Sequence, residues 1–229
     1  MSPEKARIPF GAIPTLSALR EEDREELAPL CHVRGYEKGA TIFNEGENAE
    51  FIHFVYIGRV KIVKAVGVRD LILEIIEPGE PIGAVAAFEG RPFPATAITL
   101  EPSGILSIPS DSFFRLLETR PMITRRLLAG LTLRLMSLNK RLADMTGSVE
   151  HRVASLMTTL AGRLGEKRDS GVFVPLALSR QEIADLAGTT IETAIRVMSR
   201  WQKEGIVLTE TEGFLIPDID RVRELAISE

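Results

Sequence analysis

Residues that commonly build metal centres and disulfide frameworks are scarce in this chain. It has one cysteine, Cys31, and three histidines, His32, His53 and His151, with no H-x-H pair among them. A single cysteine excludes an internal disulfide framework and a zinc or iron–sulfur site ligated by several cysteines of one chain. The sequence also lacks a P-loop and a nucleophile motif. We therefore predict that the protein is not an enzyme, and we expect no metal site and no iron–sulfur cluster.

Long apolar runs and a surplus of basic residues are also missing. No apolar stretch reaches the roughly 18 residues of a membrane-spanning helix, and the N-terminus lacks the apolar segment of a secretory signal. We therefore expect a cytoplasmic protein with no membrane contact. The formal net charge is −4, from 28 Lys and Arg against 32 Asp and Glu. A surface that attracts nucleic acid must therefore be local.

In the first half of the chain, a short helical pattern is followed by a strand-like pattern of residues. Residues 15–31 have the apolar spacing of an amphipathic helix, with Leu19, Leu27 and Leu30 on one side. Residues 39–108 then contain short β-branched and aromatic runs that are separated by glycine, proline and acidic residues. Such regularly spaced short strands predict an antiparallel sandwich or barrel.

After Pro109 the spacing of apolar residues again predicts helices. Ser110 is a candidate N-cap for a first helix, and a longer helix is predicted from about Pro121 to Met145. Its leucines recur in alternating steps of three and four, which is a heptad seam. A straight helix drifts off a strict seven-residue repeat, so we favour a parallel coiled coil of two chains over a helix packed only on its own barrel. The predicted dimer interface consists of Leu128, Leu131, Leu135, Leu138, Leu142 and Met145.

Residues 178–205 have the layout of a DNA-reading helix-turn-helix. Ser179 and Glu182 form a capping-box pattern at the start of a first helix, Gly188 permits a turn, and Gly205 ends the second helix. The stretch after Gly205 predicts a two-stranded wing. The alternative interpretation is a helical hairpin whose charges only solvate its surface.

Groove chemistry assigns roles to the exposed positions of this segment. Arg196 has the donors to contact guanine O6 and N7, and Glu192 has the acceptors for cytosine N4. Ile191 or Ile195 suits a thymine methyl group, whereas the remaining polar residues suit phosphates. The predicted DNA-binding residues are Arg180, Gln181, Thr190, Ile191, Glu192, Thr193, Ile195, Arg196 and Arg200.

The motif L-S-R-Q-E-I-A-D-L-A-G-T-T-I-E-T-A-I-R resembles the CRP/FNR family of bacterial transcription regulators, and the resemblance extends over nearly the whole chain. It implies an α+β fold with a β-roll (jelly-roll) sensor domain at 1–120, a dimerisation helix at 121–147 and a winged helix-turn-helix at 148–229. It further implies a homodimer that binds a palindromic operator in double-stranded DNA and works with RNA polymerase.

The resemblance also assigns residues within the helix-turn-helix at 178–205, which we call the reading head. Glu192 and Arg196 become the base-reading pair, and Arg180 becomes a phosphate contact. Ile191 is nearer to the FNR-type pattern V-E-T-x-x-R, which favours a TTGA-like half-site, but Ile195 replaces the serine that is usual in that subgroup.

Cyclic-nucleotide binders of this family carry a cassette resembling G-E-x-A-x-x-x-G-x-x-R-S-A-T-A. Here Ala84 stands in place of its glutamate, Phe93 of its arginine and Pro94 of its serine. A cyclic phosphate buried there would be an uncompensated charge, so we predict no tight binding of cyclic AMP or cyclic GMP. Arg91 is the nearby residue through which a rearranged nucleotide pocket remains an alternative. The predicted effector pocket comprises Gly83, Ala84, Val85, Phe93, Pro94, Ala95 and Thr96.

The signal is left open between several alternatives. Some family members that respond to nitric oxide or carbon monoxide bind haem, and the candidate axial ligands here are His32, His53, His151, Cys31 and several methionines. Cys31 beside His32 is also a candidate redox switch. A third alternative is a constitutive regulator that needs no ligand and is controlled by its abundance. Outside this class, an enzyme built on a β-roll and a cyclic-nucleotide-regulated subunit of another machine are the competing functions.

Overall fold

The computed structural model describes residues 8–66, 69–144 and 146–227. The chain divides into two compact units, Met1–Arg134 and Leu135–Glu229. The boundary falls within a long helix, which the sequence assigned to a separate dimerisation segment. The predicted domain borders at 120 and 147 stay predictions.

The first unit is built on two antiparallel sheets. Its strands are β1 (His32–Tyr36), β2 (Thr41–Phe43), β3 (Phe51–Ile57), β4 (Val60–Val66), β5 (Arg69–Ile76), β6 (Pro81–Ile82), β7 (Thr96–Thr99) and β8 (Ser103–Pro109). One sheet has the order β1-β8-β3-β6 and the other the order β2-β7-β4-β5. This arrangement confirms the predicted antiparallel β-roll, in which many short strands alternate with tight turns.

Alternation along β3 and β8 creates two apolar layers in the first unit. Val55 and Ile105 face a cluster between the two sheets, which also holds residues of β2, β4, β5, β6 and β7. Ile52, Phe54 and Leu106 point to the opposite face, where the N-terminal segment and the helices cover them. Because successive side chains of a strand point to opposite faces, one sheet supports both layers.

The N-terminal helix is shorter than the sequence predicted. Only α1 (Glu21–Leu27) is α-helical, and 3₁₀ turns occupy Phe10–Ala12 and Ala28–Leu30. Proline lies in the 3₁₀ turn that follows α1, where its missing amide cannot extend an α-helix. Leu19 and Leu27 are buried as expected, whereas Leu30 is exposed.

Three more helices begin in the first unit: α2 (Ala84–Glu89), α3 (Ser110–Thr119) and α4 (Pro121–Asp144). The predicted cap of α3 is wrong, because Ser110 is already inside the helix and its hydroxyl donates to the Ala49 carbonyl at 3.0 Å. The buried hydroxyl thus fixes α3 to a loop of the sheet rather than to its own first turn.

The second unit surrounds a small four-stranded sheet with helices. Its elements are α5 (Val149–Leu164), β9 (Glu166–Arg168), β10 (Gly171–Val174), α6 (Arg180–Leu186), α7 (Ile191–Glu204), β11 (Leu208–Glu210), β12 (Gly213–Ile216) and α8 (Ile219–Leu225). The sheet order is β11-β12-β10-β9. The predicted wing is the β11–β12 pair, and β9 and β10 form a second hairpin ahead of α6. Within the described ranges, no helix has the length and apolar character to cross a membrane.

Candidate nucleic-acid interface and effector site

Helices α6 and α7 form the predicted helix-turn-helix, and their ends are capped as the sequence indicated. The Ser179 hydroxyl accepts from the Glu182 amide at 3.2 Å, and the Glu182 carboxylate accepts from the Ser179 amide at 2.9 Å. The Thr190 hydroxyl caps α7 by accepting from the Thr193 amide at 3.4 Å. Gly205 ends α7 with a φ of 68°, a left-handed conformation that favours glycine.

One face of α7 is buried and the opposite face is exposed to solvent. Ala194, Val197, Met198 and Trp201 are buried against the second unit. Their spacing places them on one side of the helix. The helix is therefore held by its apolar side, and its polar side is presented to solvent.

The central reading residues lie on that solvent-facing side. Glu192, Ile195 and Arg196 are exposed, and Ile191 and Thr193 are half-buried. Arg196 Nη2 donates to the Thr193 hydroxyl at 3.4 Å, a long bond that a better acceptor can replace. The predicted base-reading pair is thus brought together on one exposed turn.

The predicted phosphate contacts are engaged with protein neighbours to different degrees. Arg180 Nη2 donates to the Thr209 hydroxyl of β11 at 2.9 Å, and burial lowers the pKa of its guanidinium from the ordinary value. Gln181 Nε2 donates to Asp185 Oδ1 at 2.7 Å. These bonds tie α6 to the wing and to its own next turn.

Arg200 is the predicted contact whose surroundings the sequence did not reveal. It forms an ion pair with Glu150 of α5, and the same Glu150 oxygen accepts from Trp201 Nε1 at 2.9 Å. Glu150 therefore anchors α7 to α5 and offsets the Arg200 charge. Arg200 is consequently a weaker attractor of phosphate than an unpaired arginine would be.

Arg152 is a functional candidate that sequence reasoning missed. Its guanidinium donates to the carbonyls of Ala187 at 2.8 Å, Gly188 at 3.2 Å and Gly147 at 2.9 Å. It therefore connects the turn of the helix-turn-helix with the segment between α4 and α5. The only signal in the sequence was an arginine near the start of a helix, which does not indicate carbonyl partners 35 residues away.

The predicted effector pocket is closed by its own side chains. Phe93 is 4% exposed and stacks on Phe43 with ring centroids 3.7 Å apart. It also packs against Gly83, where the Phe93 ring leaves no room for a side chain. Ala84 and Ala95 are buried, whereas Val85 is exposed. An apolar ring thus fills the position that carries arginine in the nucleotide cassette.

The rest of this loop is held by polar contacts within the chain. Lys64 Nζ donates to the Pro94 carbonyl at 2.7 Å and forms an ion pair with Glu45. The Thr96 hydroxyl accepts from the Glu45 amide at 3.0 Å. Pro94 and Thr96 therefore serve the packing of the loop in this structure.

Two of the candidate sensing residues, His53 and Cys31, are packed into the first unit rather than exposed to solvent. His53 lies beside Phe43 and Phe93, and its Nδ1 is 2.8 Å from the Ser107 hydroxyl. Burial lowers the pKa of His53 to about 4 and raises the pKa of the half-buried Cys31 thiol to about 11. A thiol with a raised pKa is a poor nucleophile. In the parts of the chain that the structure describes, no group of three His, Cys, Asp or Glu residues is arranged to hold a metal ion.

Helix α4 presents most of the predicted seam to solvent. Leu128 and Leu135 are each 58% exposed, and Leu138 and Leu142 are exposed as well. Leu131 is half-buried against the apolar layer of the first unit. Met145 lies outside the described residues.

Comparison with known proteins agrees with both units. Residues 33–120 match the model of a cyclic nucleotide-binding domain, and residues 151–225 match that of a Crp-like helix-turn-helix domain. The chain is 30% identical over 204 residues to a CRP-like cAMP-activated global transcriptional regulator of Mycobacterium tuberculosis, covering 88% of this chain and 89% of that protein. It is 28% identical over 221 residues to the cyclic AMP receptor protein of Thermus thermophilus, covering 94% and 95%.

Among solved structures, a CRP-family transcriptional regulator of Thermus thermophilus, TTHB099, superposes with a TM-score of 0.73 at 21% identity, covering 85% of this chain and 97% of that one. That likeness supports the fold, and the sequence relatives support the family. The chain therefore belongs to the CRP/FNR family of transcription regulators, with a cyclic nucleotide-binding domain followed by a Crp-like helix-turn-helix domain.

Proposed function

We propose that the protein is a homodimeric, sequence-specific DNA-binding regulator that acts in the cytoplasm on a palindromic operator. The observation that carries the proposal is the exposed face of α7. Glu192, Ile195 and Arg196 are exposed to solvent on the side of α7 opposite its buried face, which fixes the helix. Contacts with RNA polymerase follow from the same role.

The exposed residues divide into base readers and positioning groups. Arg196 reads guanine through two parallel hydrogen bonds, and Glu192 accepts from a cytosine amino group. Ile195 packs on a thymine methyl group. Arg180, Gln181, Thr190 and Thr193 bind phosphates, which orients the helix without specifying sequence. Arg200 joins them only when its ion pair with Glu150 opens.

The exposed leucines of α4 support the proposed dimer. A row of leucines with Leu128, Leu135 and Leu142 at seven-residue intervals is costly to leave in water. A second copy of the same helix covers it by knobs-into-holes packing. The dimer then supplies the two reading helices that a palindrome requires.

The proposed regulator responds to a signal other than cyclic AMP. The relatives named above are cyclic AMP proteins, but here Phe93 and Phe43 fill the interior of the cassette and Pro94 has no amide donor. The same filled interior supports a second candidate, a regulator that needs no effector there and is controlled by its abundance. His53 is packed between aromatic rings and bonded to Ser107, which speaks against it as a haem ligand.

Gel shifts and titration calorimetry test the proposal on the full chain. The protein should bind a duplex with two TTGA-like half-sites as a dimer, and its affinity should fall as the salt concentration rises. A duplex with scrambled half-sites should be bound much more weakly. Equal binding of both duplexes, or a micromolar dissociation constant for cyclic AMP, contradicts the respective part of the proposal.

A further inference from the structure

A cavity of about 530 Å³ lies against the first half of α4, away from the altered nucleotide cassette. Its walls come from residues 14–17, from the 78–81 turn that leads into β6, and from residues 126–134 of α4. No residue of the predicted effector pocket lines it. The volume falls within the roughly 300–1,000 Å³ of typical small-molecule sites.

Gly130 keeps the helical side of this cavity open. Glycine in the middle of a helix lowers helix stability by about 1 kcal/mol relative to alanine. A glycine at this position of α4 therefore needs a structural or functional explanation. A Cβ at Gly130 would meet no atom within 4 Å, which means that packing does not require glycine. Residues 126, 130 and 134 are four apart and share one face of α4. The missing side chain therefore leaves space between Arg126 and Arg134.

Arg126 supplies a positive charge at the cavity, whose lining also includes Glu80. Its Nη1 donates to the Pro14 carbonyl at 2.8 Å and to the Ser17 hydroxyl at 2.6 Å, both uncharged acceptors. Among the described residues, no carboxylate lies within ion-pair distance of Arg126. Arg134, by contrast, is paired with Glu74. The Nε and Nη2 donors of Arg126 form a fork that matches a carboxylate.

Thr15 adds an independent polar observation in the same cavity. It is only 7% exposed and lines the wall opposite α4. Its hydroxyl is a hydrogen-bond donor and acceptor that a ligand in the cavity can meet.

We propose that this cavity binds a small organic acid. Its acid group pairs with Arg126, its polar substituent or second oxygen bonds to Thr15, and its apolar body lies on Leu127, Leu131 and Pro81. Of the predicted seam residues, Leu131 also lines the cavity. Gly130 is turned about a third of a turn from the middle of the seam, so a second copy on the seam leaves the side with Arg126 and Gly130 open. The site goes beyond the proposed function, because its binding does not depend on DNA.

Fluorescence of 1-anilinonaphthalene-8-sulfonate, an apolar body with an acid group, measures the site in the full chain without DNA. The probe should bind, and octanoate should displace it at a concentration about tenfold lower than the uncharged 1-octanol does. Gly130→Leu places a side chain in the cavity from a position where a Cβ meets no atom within 4 Å, and it should remove this octanoate-sensitive signal. Arg126→Gln should weaken displacement by octanoate about tenfold and leave displacement by octanol unchanged.

Two variants on the same helix are matched controls. Arg125→Gln removes an equal charge outside the cavity lining, and Thr132→Leu adds an equal apolar side chain outside it. Both should bind the probe and octanoate as the unaltered protein does. The proposal is overturned if the probe does not bind, if octanol matches octanoate, or if Gly130→Leu retains the octanoate-sensitive signal. A thermal melt of Gly130→Leu that matches the unaltered protein shows that loss of signal is not loss of fold.

Discussion

The imidazole of His53 makes the stability of the first unit depend on pH. Burial lowers its pKa from 6.5 to about 4, so between these values the unfolded chain binds a proton that the folded chain does not. The free energy of unfolding should therefore fall as the pH decreases from 6.5 to about 4, by about 3 kcal/mol in total. His53→Gln, which cannot titrate, should lose this part of the slope in urea unfolding measured at a series of pH values.

His32→Gln is the matched control, because His32 is exposed on strand β1 of the same sheet. It should retain the slope of the unaltered protein. The paired carboxylate Asp23, whose pKa Arg120 lowers from 3.8, acts in a lower window, since its stabilisation is lost only as the pH falls through that region. Identical slopes for His53→Gln and the unaltered protein between pH 4 and 6.5 contradict the prediction.

Arg196 is the residue on which base recognition depends most. Arg196→Ala should weaken binding to the palindromic duplex by roughly 1–3 kcal/mol and relax the preference at one base pair of each half-site. The reason is that two hydrogen bonds to guanine disappear together with one positive charge. Competition gel shifts against duplexes altered at single base pairs measure both effects.

Arg196→Lys separates base reading from charge. Lysine keeps the charge but lacks the planar fork, so the salt dependence should stay near that of the unaltered protein while the preference at the base pair falls. A lysine variant with full specificity would show that Arg196 acts on phosphate rather than on a base.

Helix α4 carries the prediction for assembly. Leu135→Arg and Leu138→Arg each place a charge in the middle of the proposed seam, where it cannot be solvated in the dimer. Both variants should be monomers in sedimentation equilibrium and should lose binding to the palindromic duplex. The individual units should still melt cooperatively, because Leu135 and Leu138 are exposed in the single chain.

Ser137→Arg adds the same charge on the same helix but nearly opposite the seam. Ser137 is exposed, and its variant should remain a dimer with unchanged DNA binding. If Ser137→Arg dissociates and Leu135→Arg does not, the interface lies on another face of α4.

Elements that depend on local order were predictable from the sequence, whereas long-range contacts were not. The capping box at Ser179 and the left-handed helix end at Gly205 involve only residues that are close in the chain, so their residue types predict these two helix ends. Ser110 has the same residue type as a cap, but its partner is the Ala49 carbonyl, 61 positions away. The cap prediction failed there because sequence does not show which loop a hydroxyl will meet.

The candidate site shows the same division. The burial of Val197 and Trp201 on one face of α7 agrees with the 3.6-residue period of apolar residues in the sequence. The pairing of Arg200 with Glu150 and the three carbonyl bonds of Arg152 arise only when α5 packs beside the reading head. The substitution by Phe93 was visible as a lost arginine, but its stacking on Phe43 required the folded sheets.

For the whole molecule, we propose that signalling works through a shift between populations of dimers. The segment between α4 and α5 contains Gly147, and Arg152 bonds its carbonyl as well as the helix-turn-helix turn. A change in α4 packing that moves this segment therefore reaches the reading head through one guanidinium. A ligand or partner shifts the population only to the extent that it prefers one arrangement.

The spacing of operator half-sites tests the dimer as a whole. Two reading helices of one dimer enter successive major grooves when the half-sites are about 34 Å, or one turn of DNA, apart. Insertion of about five base pairs between half-sites rotates one of them to the opposite side of the duplex, so binding should fall to the non-specific level, about a thousandfold or more. Insertion of a full turn restores the side but not the distance, and it should restore binding only if the Gly147 segment allows the two reading heads of the dimer to move apart. Because Leu135→Arg prevents dimerisation, that variant should bind all three duplexes equally weakly. Tight binding by the unaltered protein at every spacing would contradict a dimer with paired reading heads.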